Sequence, residues 1–359
     1  MIIVGLVRLG QHLEYLELPN EGAGDALIDD DMYVAVLGGG FGANNPDIGS
    51  NIFIINLEDK NLFGKVEKQI LIEDISTNGI INSTPALPTV ITSDEISTKF
   101  TGALVYLNDL EGKVTKFNLT NMTTDNQGVA IEMYDSTTLF NVEANTTNGR
   151  YMYHSMDAGT VKGSNTLMMF LGTGDYERLT DKNDDVDNVL IGIKDIDFPY
   201  YKNINTATTA DTLDNCSDTT NDDTGDDCPT SAELGWKIHL DSSRKVTAEP
   251  TLTRGRVLFP VFEPTIVDSC STGKAFICNV HAECGTPKNT EIGSANDLEC
   301  FEVGTGVLSK VVVFGNKIFA NIAGTAGAGA MQGDKDDLVS INAAEFEIES
   351  FRNSWRENY

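Results

Sequence analysis

A short unit of strand and turn repeats along this chain and restricts its fold more than any other feature. Each copy has a turn, an apolar run ending in Asn, Asp or Val, and often a second turn containing Gly. The five copies lie at residues 49–57, 112–119, 188–195, 273–280 and 337–342. Their starts are 63, 76, 85 and 64 residues apart, more than the roughly 40 to 50 residues of a lean propeller blade. The repeat therefore predicts a β-propeller of about five to seven blades with long loop insertions.

Apolar runs without helical periodicity indicate that the protein is all-β. Runs such as residues 32–37 and 103–107 alternate with turn-rich segments, and no long segment has the 3.6-residue period of an amphipathic helix. A pair of β-sandwiches would also contain short strands and Gly-rich turns, but a repeated unit favours a radial architecture. We assign residues 31–359 to the propeller, with a disulfide-rich insertion around residues 200–300. Residues 1–30 form an N-terminal segment, for which an incomplete blade is one interpretation.

Six cysteines fall in one part of the chain and predict disulfide bonds. They are Cys216, Cys228, Cys270, Cys278, Cys284 and Cys300. None forms a C-x-x-C pair, so a zinc site is disfavoured, whereas an even number in a loop-rich region favours up to three disulfides in an oxidising compartment. Fifteen pairings are open for six cysteines. Six free thiols in a cytosolic protein are the alternative.

The charge of the chain restricts its partners. The 359 residues carry a formal net charge of −29, from 25 Lys and Arg against 54 Asp and Glu. Such a surface repels a phosphate backbone and an anionic bilayer, so we expect no nucleic-acid partner and favour cations as small partners. Solubility or a saline environment is an alternative explanation of the acidity.

No segment is apolar enough to span a bilayer, and no export signal is recognisable. Residues 1–7 are apolar, but no basic residue precedes them and Arg8 ends the run. If the disulfides form, we expect the chain to be the C-terminal portion of a longer exported polypeptide or to have lost its leader.

One acidic segment is the best candidate for a metal site. Asp181, Asn183, Asp185 and Asp187 place oxygen-bearing side chains at alternate positions, the opening spacing of an EF-hand-like Ca²⁺ loop. That loop type also needs Gly at its sixth position and an acidic residue at its twelfth, where this chain has Val186 and Gly192. The sequence therefore leaves two interpretations of this segment, a calcium site and a solvated acidic loop.

Five segments in order along the chain resemble the C-terminal propeller of PilY-class type IV pilus biogenesis and tip-adhesin proteins. The segments are residues 34–57 with a Gly-rich turn at 38–42, residues 105–119, residues 170–176, residues 235–259 and the tail Ser354-Trp355-Arg356-Glu357. They are similar to the family's Gly-Gly-Tyr turn, its Tyr-x-Gly-Asp-Leu-x-Gly stretch, its Gly-Thr-Gly-x-Tyr turn, its Gly-Trp-x-x-x-Leu strand and its end. The family's D-x-D-x-D-G calcium loop has no counterpart in residues 91–100. The family's larger N-terminal region is also missing.

The resemblance implies a non-enzymatic, exported protein that acts in type IV pilus assembly at the pilus tip. It implies minor pilins as partners, a role in adhesion to a host or surface receptor, and a location in the periplasm, on the outer-membrane surface or at the pilus tip. The residues agree with the absence of catalysis, because the four histidines have no ligand spacing and no G-x-S-x-G elbow is present.

Two other functions are compatible with a propeller of this composition. The first is an enzyme like the quinone-dependent dehydrogenases, although the adjacent cysteines often found in those enzymes are missing here. The second is a structural subunit of an extracellular filament or surface layer, which the acidity and the Thr- and Asn-rich loops favour.

Overall fold

The fold is an all-β propeller, as the sequence predicts. A computed structural model describes residues 7–10, 31–41, 49–57, 63–75, 77–92, 102–120, 122–160, 166–183, 185–216, 233–265, 273–286, 300–315, 317–323 and 338–342. Across these ranges the strands form five sheets, which are the blades, and one short 3-10 helix spans Ala210–Thr212.

Consecutive strands pair antiparallel within each blade. Blade 1 contains β1 (Val7–Gly10), β2 (Asp31–Gly38), β3 (Asn51–Asn56) and β4 (Val66–Leu71). Blade 2 contains β5 (Thr89–Thr92), β6 (Gly102–Asn108), β7 (Lys113–Thr120) and β8 (Ser136–Asn141). Blade 3 begins with β9 (Asp157–Thr160), β10 (Leu167–Gly172) and β11 (Asn188–Asp195).

Two short strands, β12 (Thr208–Thr209) and β13 (Asp214–Asn215), precede β14 (Gly235–Leu240), the fourth strand of blade 3. β12 adds parallel to β8 and β13 adds parallel to β14, so this segment links the outer edges of blades 2 and 3. Blade 4 contains β15 (Lys245–Val246), β16 (Thr251–Thr253), β17 (Arg256–Glu263), β18 (Lys274–His281) and β19 (Cys300–Thr305). Blade 5 contains β20 (Val307–Leu308), β21 (Val312–Phe314), β22 (Lys317–Ala323) and β23 (Leu338–Asn342).

By position, the repeated unit of the sequence corresponds to the third strand of every blade. Its five copies coincide with β3, β7, β11, β18 and β23. In blades 4 and 5 the short strands β15 and β16, and likewise β20 and β21, pair along one edge of the second strand and together occupy the first position. The uneven spacing of the copies arises from the connections, such as the long segment between β11 and β14. One repeat per blade is what a radial fold requires.

The core lies between neighbouring blades rather than in one central mass. β6 is buried along its whole length, and successive side chains of a strand point to opposite faces. Ala103 and Val105 therefore pack against blade 1, whereas Leu104 and Tyr106 pack against blade 3. Comparable clusters join blade 3 to blade 4 and blade 4 to blade 5. Burial on both faces explains why a strand such as β6 is a continuous apolar run in the sequence.

Trp236 is the largest fully buried side chain and joins blade 3 to blade 4. Its indole N–H donates to the backbone oxygen of Ala282 at 2.8 Å. The ring lies between two glycines, because a Cβ on Gly192 would come within 2.4 Å of it and a Cβ on Gly285 within 2.6 Å. Gly192 is directly opposite Trp236 in the β11–β14 ladder, so the glycine provides the space that the indole occupies.

Replacing Gly192 with alanine is expected to lower the free energy of unfolding by about 1–3 kcal/mol, because the new methyl group overlaps the indole in a packed core. Gly159→Ala is the matched control, since its Cβ would meet mainly the end of the flexible Leu252 side chain. Urea unfolding followed by circular dichroism compares the two. Equal effects of the two substitutions would contradict this account of Trp236 packing.

A disulfide joins two of the six candidate cysteines, a pairing that the sequence left open. Cys278 and Cys300 are directly opposite on β18 and β19, with a Cα–Cα distance of 3.8 Å, and they form a disulfide bond. Cys284 is also disulfide-bonded, and the Sγ atom of Cys216 lies 3.0 Å from its backbone oxygen. Cys228 and Cys270 lie outside the described residues. No helix in the described ranges is long and apolar enough to cross a membrane.

Candidate functional site

Blade topology brings several distant segments to one side of the propeller. The second strand of each blade ends on the side where the first strand of the next blade begins, because the four strands are antiparallel. The turns between second and third strands and the connections between blades therefore share this side, which we call the connection face. Its described residues are 39–41, 49–50, 109–112, 173–183 and 185–187 from turns, and 72–75, 77–88 and 142–156 from connections.

An aromatic cluster lies on the connection face. It consists of Phe41, Tyr151, Tyr153, His154 and Tyr176. The ring of Tyr153 is central, with centroid distances of 6.0 Å to Phe41, 6.2 Å to Tyr151 and 6.4 Å to Tyr176. The imidazole of His154 meets Tyr176 edge-on at 4.9 Å. Phe41 and Tyr176 are 60% and 42% exposed, so the cluster is open to a partner.

A glycine turn positions Phe41 at the end of β2. The backbone N–H of Gly39 donates to the side chain of Thr84 at 2.7 Å, and Gly40 forms a bridge with the same residue. A Cβ on Gly38 would come within 2.9 Å of the Thr84 backbone oxygen, so a larger residue would displace the connection from blade 1 to blade 2. Gly40 has φ +74°, a conformation that glycine adopts without strain. These glycines allow the turn to approach Thr84 closely and leave Phe41 at the surface.

Two polar side chains hold the connection that carries Tyr151, Tyr153 and His154. The amide of Asn108, at the end of β6, donates to the backbone oxygens of Met152 at 3.3 Å and His154 at 3.0 Å. The hydroxyl of Ser155 accepts a hydrogen bond from the backbone N–H of Leu87 at 2.8 Å. The cluster is therefore built on a fixed segment, as a preorganised binding surface requires.

A buried carboxylate lies beneath the aromatic rings. Asp175 accepts hydrogen bonds from the Tyr153 hydroxyl at 3.4 Å and from Nε of Arg178 at 2.7 Å. Burial raises the pKa of Tyr153 and of Tyr151, and the charge of Asp175 raises both further. Both phenols therefore stay protonated at neutral pH and act as hydrogen-bond donors and aromatic surfaces.

His154 is neutral at physiological pH. Burial lowers its pKa to about 4. Its Nε2 atom is buried and has no hydrogen-bond partner among the described residues, so a proton placed there would be an uncompensated charge.

The free energy of unfolding is expected to decrease as the pH falls from about 6.5 to about 4, by about 2 to 3 kcal/mol from His154 alone. In this window the unfolded state binds a proton that the folded state does not bind, so acidification favours unfolding. The His154→Phe variant should have a flatter pH dependence than the wild-type protein in urea unfolding at pH 7, 6 and 5. Parallel curves for the two proteins would contradict the account.

The candidate calcium loop also lies on the connection face, and cationic side chains already contact it. Oδ1 of Asp187 lies 2.6 Å from Nδ1 of His239, and Oδ2 pairs with Arg150. The fully buried ammonium of Lys245 donates to the backbone oxygens of residues 178, 179 and 181. Among the described residues, no group of three or more His, Cys, Asp or Glu side chains is arranged to hold a metal ion. Calcium binding by this loop stays a prediction.

Three of the four predicted metal residues are exposed, and the fourth, Asp187, is half-buried. Asp181 and Asp185 are exposed, and the Asn183 backbone is held through hydrogen bonds with Ser243 at 2.8 and 3.2 Å. Position 12 of the loop, Gly192, lies within β11 opposite Trp236. The carboxylate of Asp187 is the group of this set that the fold engages most, and its partners are the Arg150 guanidinium and the His239 ring.

The sequence indicated only part of the aromatic cluster. Phe41 and Tyr176 follow recognisable Gly-containing turns, and aromatic residues at such positions are typical of a blade core or rim. Tyr151, Tyr153 and His154 carry a weaker signal. They form a short aromatic-rich run just before the first strand of blade 3, and without the fold such a run is interpreted as part of the core.

The fold and the connection face define the chain as a β-propeller. Comparison with solved structures finds the C-terminal domain of Pseudomonas aeruginosa PilY1, with a TM-score of 0.55 at 13% sequence identity, covering 87% of this chain and 70% of that chain. At this identity the likeness establishes the fold. A PQQ-bound aldose sugar dehydrogenase from Streptomyces coelicolor also matches, with a TM-score of 0.27 at 12% identity over 82% of this chain and 88% of that chain, which is too low to support an argument. No family model matches the sequence, and no curated protein matches it.

Proposed function

We propose that this chain is a non-enzymatic propeller domain of the PilY class that acts in type IV pilus assembly at the pilus tip. One observation carries the proposal: the chain has the fold of the PilY1 C-terminal domain over 87% of its length. The ordered resemblance of five sequence segments supports the same class independently of the fold.

In this role the propeller docks minor pilins through the connection face. A scaffold whose blades are joined by continuous cores presents a broad surface whose loops vary without loss of the fold. The aromatic cluster gives that surface exposed rings, the side-chain class that contributes most to protein interfaces. The same surface is the part of the chain that we assign to adhesion to a host or surface receptor.

We also propose that the protein functions outside the cytoplasm, in the periplasm, on the outer-membrane surface or at the pilus tip. The Cys278–Cys300 disulfide supports this, because disulfides persist in oxidising compartments.

The test is co-elution of the purified, oxidised protein with the minor pilins of the same organism, once in buffer with calcium and once in buffer with a chelator. We expect a stable complex on size exclusion. Loss of the complex in chelator alone would assign a binding role to the loop at residues 181–187. A folded β protein that binds no minor pilin under either condition would contradict the proposal and favour a structural filament or surface-layer subunit.

A further inference from the structure

The aromatic cluster is assembled from three segments that are distant in the sequence. Phe41 follows β2 of blade 1, Tyr153 lies between blades 2 and 3, and Tyr176 follows β10 of blade 3. The rings meet at centroid distances of 6.0 to 6.4 Å although Phe41 and Tyr153 are separated by more than a hundred residues. Two of the three rings remain largely exposed after the fold has brought them together. Their burial by neighbouring segments is therefore incomplete, and their faces are available for contact.

The charge around the cluster is negative. The turn that carries Tyr176 contains exposed carboxylates, which are Glu177, Asp181 and Asp185. Its basic residues are Arg178, which is paired with Asp175, and Lys182. The whole chain carries a formal charge of −29, so the surroundings strengthen this local field.

The rings themselves favour a cation. Aromatic faces carry partial negative charge and attract ammonium and guanidinium groups within about 6 Å. The protein uses this contact internally, since Nζ of Lys68 lies 5.7 Å from the ring centre of Tyr134 and the Arg244 guanidinium lies 4.3 Å from that of Phe276. His154 adds no opposing charge at neutral pH, because burial lowers its pKa to about 4.

We propose that the aromatic cluster and the adjoining acidic turn bind a lysine- or arginine-bearing segment of a protein partner. Cationic side chains of this segment lie over the exposed rings of Tyr176 and Phe41, and Glu177 contributes attraction at the edge. This inference rests on the proposed function for the identity of the partner as a pilin, but the binding of a cationic segment is independent of it. Neutral saccharides also stack on aromatic rings, but they would gain nothing from the surrounding carboxylates.

Fluorescence anisotropy with labelled peptides tests the inference on the full chain. The probes are a Gly/Ser peptide carrying three lysines, the same peptide with three glutamates, and a labelled neutral oligosaccharide. We expect the lysine peptide to bind with an affinity that falls with salt, and the glutamate peptide and the oligosaccharide to bind far more weakly.

Variants that change the rings but not the charge separate cation binding from general acidity. Tyr176→Leu should weaken lysine-peptide binding about threefold to fivefold, and the double variant Phe41→Leu/Tyr176→Leu about tenfold, because leucine keeps apolar area but lacks the electron-rich face. Phe314→Leu is the matched control. Phe314 is 79% exposed in the hairpin between β21 and β22, on the side opposite the connection face, and its substitution should leave binding unchanged.

Several results would overturn the inference. These are wild-type affinity of the double variant for the lysine peptide, equal binding of the glutamate peptide, and preferential binding of the oligosaccharide. The outcomes also separate the two proposals. If the pilins and the lysine peptide both bind the double variant as they bind the wild-type protein, the pilus function stands and the cationic site fails. If the lysine peptide binds through the rings but no pilin co-elutes, the site stands and its partner is another protein.

Discussion

The substitution Asp195→Asn is expected to lower the free energy of unfolding by about 3 to 5 kcal/mol, because it leaves a buried lysine without its counter-charge. Lys116 on β7 and Asp195 at the end of β11 are fully buried, and Nζ lies 2.6 Å from Oδ2. The hydroxyl of Tyr106 donates to the same carboxylate at 2.7 Å, and Lys116 also donates to the backbone oxygen of Tyr200 at 2.8 Å. Burial raises the pKa of Tyr106 and the charge of Asp195 raises it further, so the phenol remains a donor. The group joins blade 2 to blade 3.

A double-mutant cycle gives the control for this expectation. Lys116→Met leaves the carboxylate without its ammonium, whereas the double variant Lys116→Met/Asp195→Asn removes both charges. We expect each single variant to be strongly destabilised in urea unfolding. The loss of unfolding free energy in the double variant should be smaller than the sum of the two single losses. Single losses below about 1 kcal/mol that add without coupling would contradict a buried ion pair at this blade interface.

The substitution Glu111→Ala should lower the free energy of unfolding by about 3 to 5 kcal/mol, because a buried ammonium and two partly buried donors lose this acceptor at once. The Glu111 carboxylate is fully buried in the turn between β6 and β7. It accepts from the backbone N–H of Ile75 at 2.9 Å, from the Asn78 amide at 2.8 Å and from the Lys113 ammonium at 2.7 Å. Ile75 and Asn78 belong to the connection from blade 1, so the carboxylate fastens that connection to blade 2.

Two further variants separate the buried carboxylate from charge in general. Glu111→Gln keeps an acceptor oxygen and should lose less stability than Glu111→Ala. Glu177→Ala removes an exposed carboxylate from the equivalent turn of blade 3 and should change the free energy of unfolding by less than about 0.5 kcal/mol. Urea unfolding of the three variants measures the order. Equal effects of Glu111→Ala and Glu177→Ala would show that the turn at residues 109–112 does not hold the connection.

The fold was predictable because its signal is local and repeated. Each copy of the unit forms the third strand of one blade, and a strand such as β6, which is buried on both faces, is predicted directly from its apolar run and flanking turns. Polar residues inside those strands were not interpretable in the same way. Lys116 looks like a solvent-facing residue between Thr115 and Phe117, but it is fully buried because Asp195 meets it from the next blade.

The candidate site was less predictable, since it depends on the arrangement of blades. Phe41, Tyr153 and Tyr176 share no motif, and only the ring of blades brings their side chains together. The spacing of Asp181, Asn183, Asp185 and Asp187 was visible in the sequence. The contacts of Asp187 with Arg150 and His239 come from a connection and from β14, so spacing could not reveal them.

The central claim is that the propeller docks a partner through the connection face. Hydrogen–deuterium exchange on the complex with minor pilins is its most direct test. The expected result is slower exchange of backbone amides at residues 38–41, 151–156 and 173–178 in the complex than in the free protein. Residues 124–130 and 253–256, which lie in turns on the opposite side, should exchange at equal rates in both. Protection confined to those opposite turns, with none around Phe41, Tyr153 and Tyr176, would contradict the account.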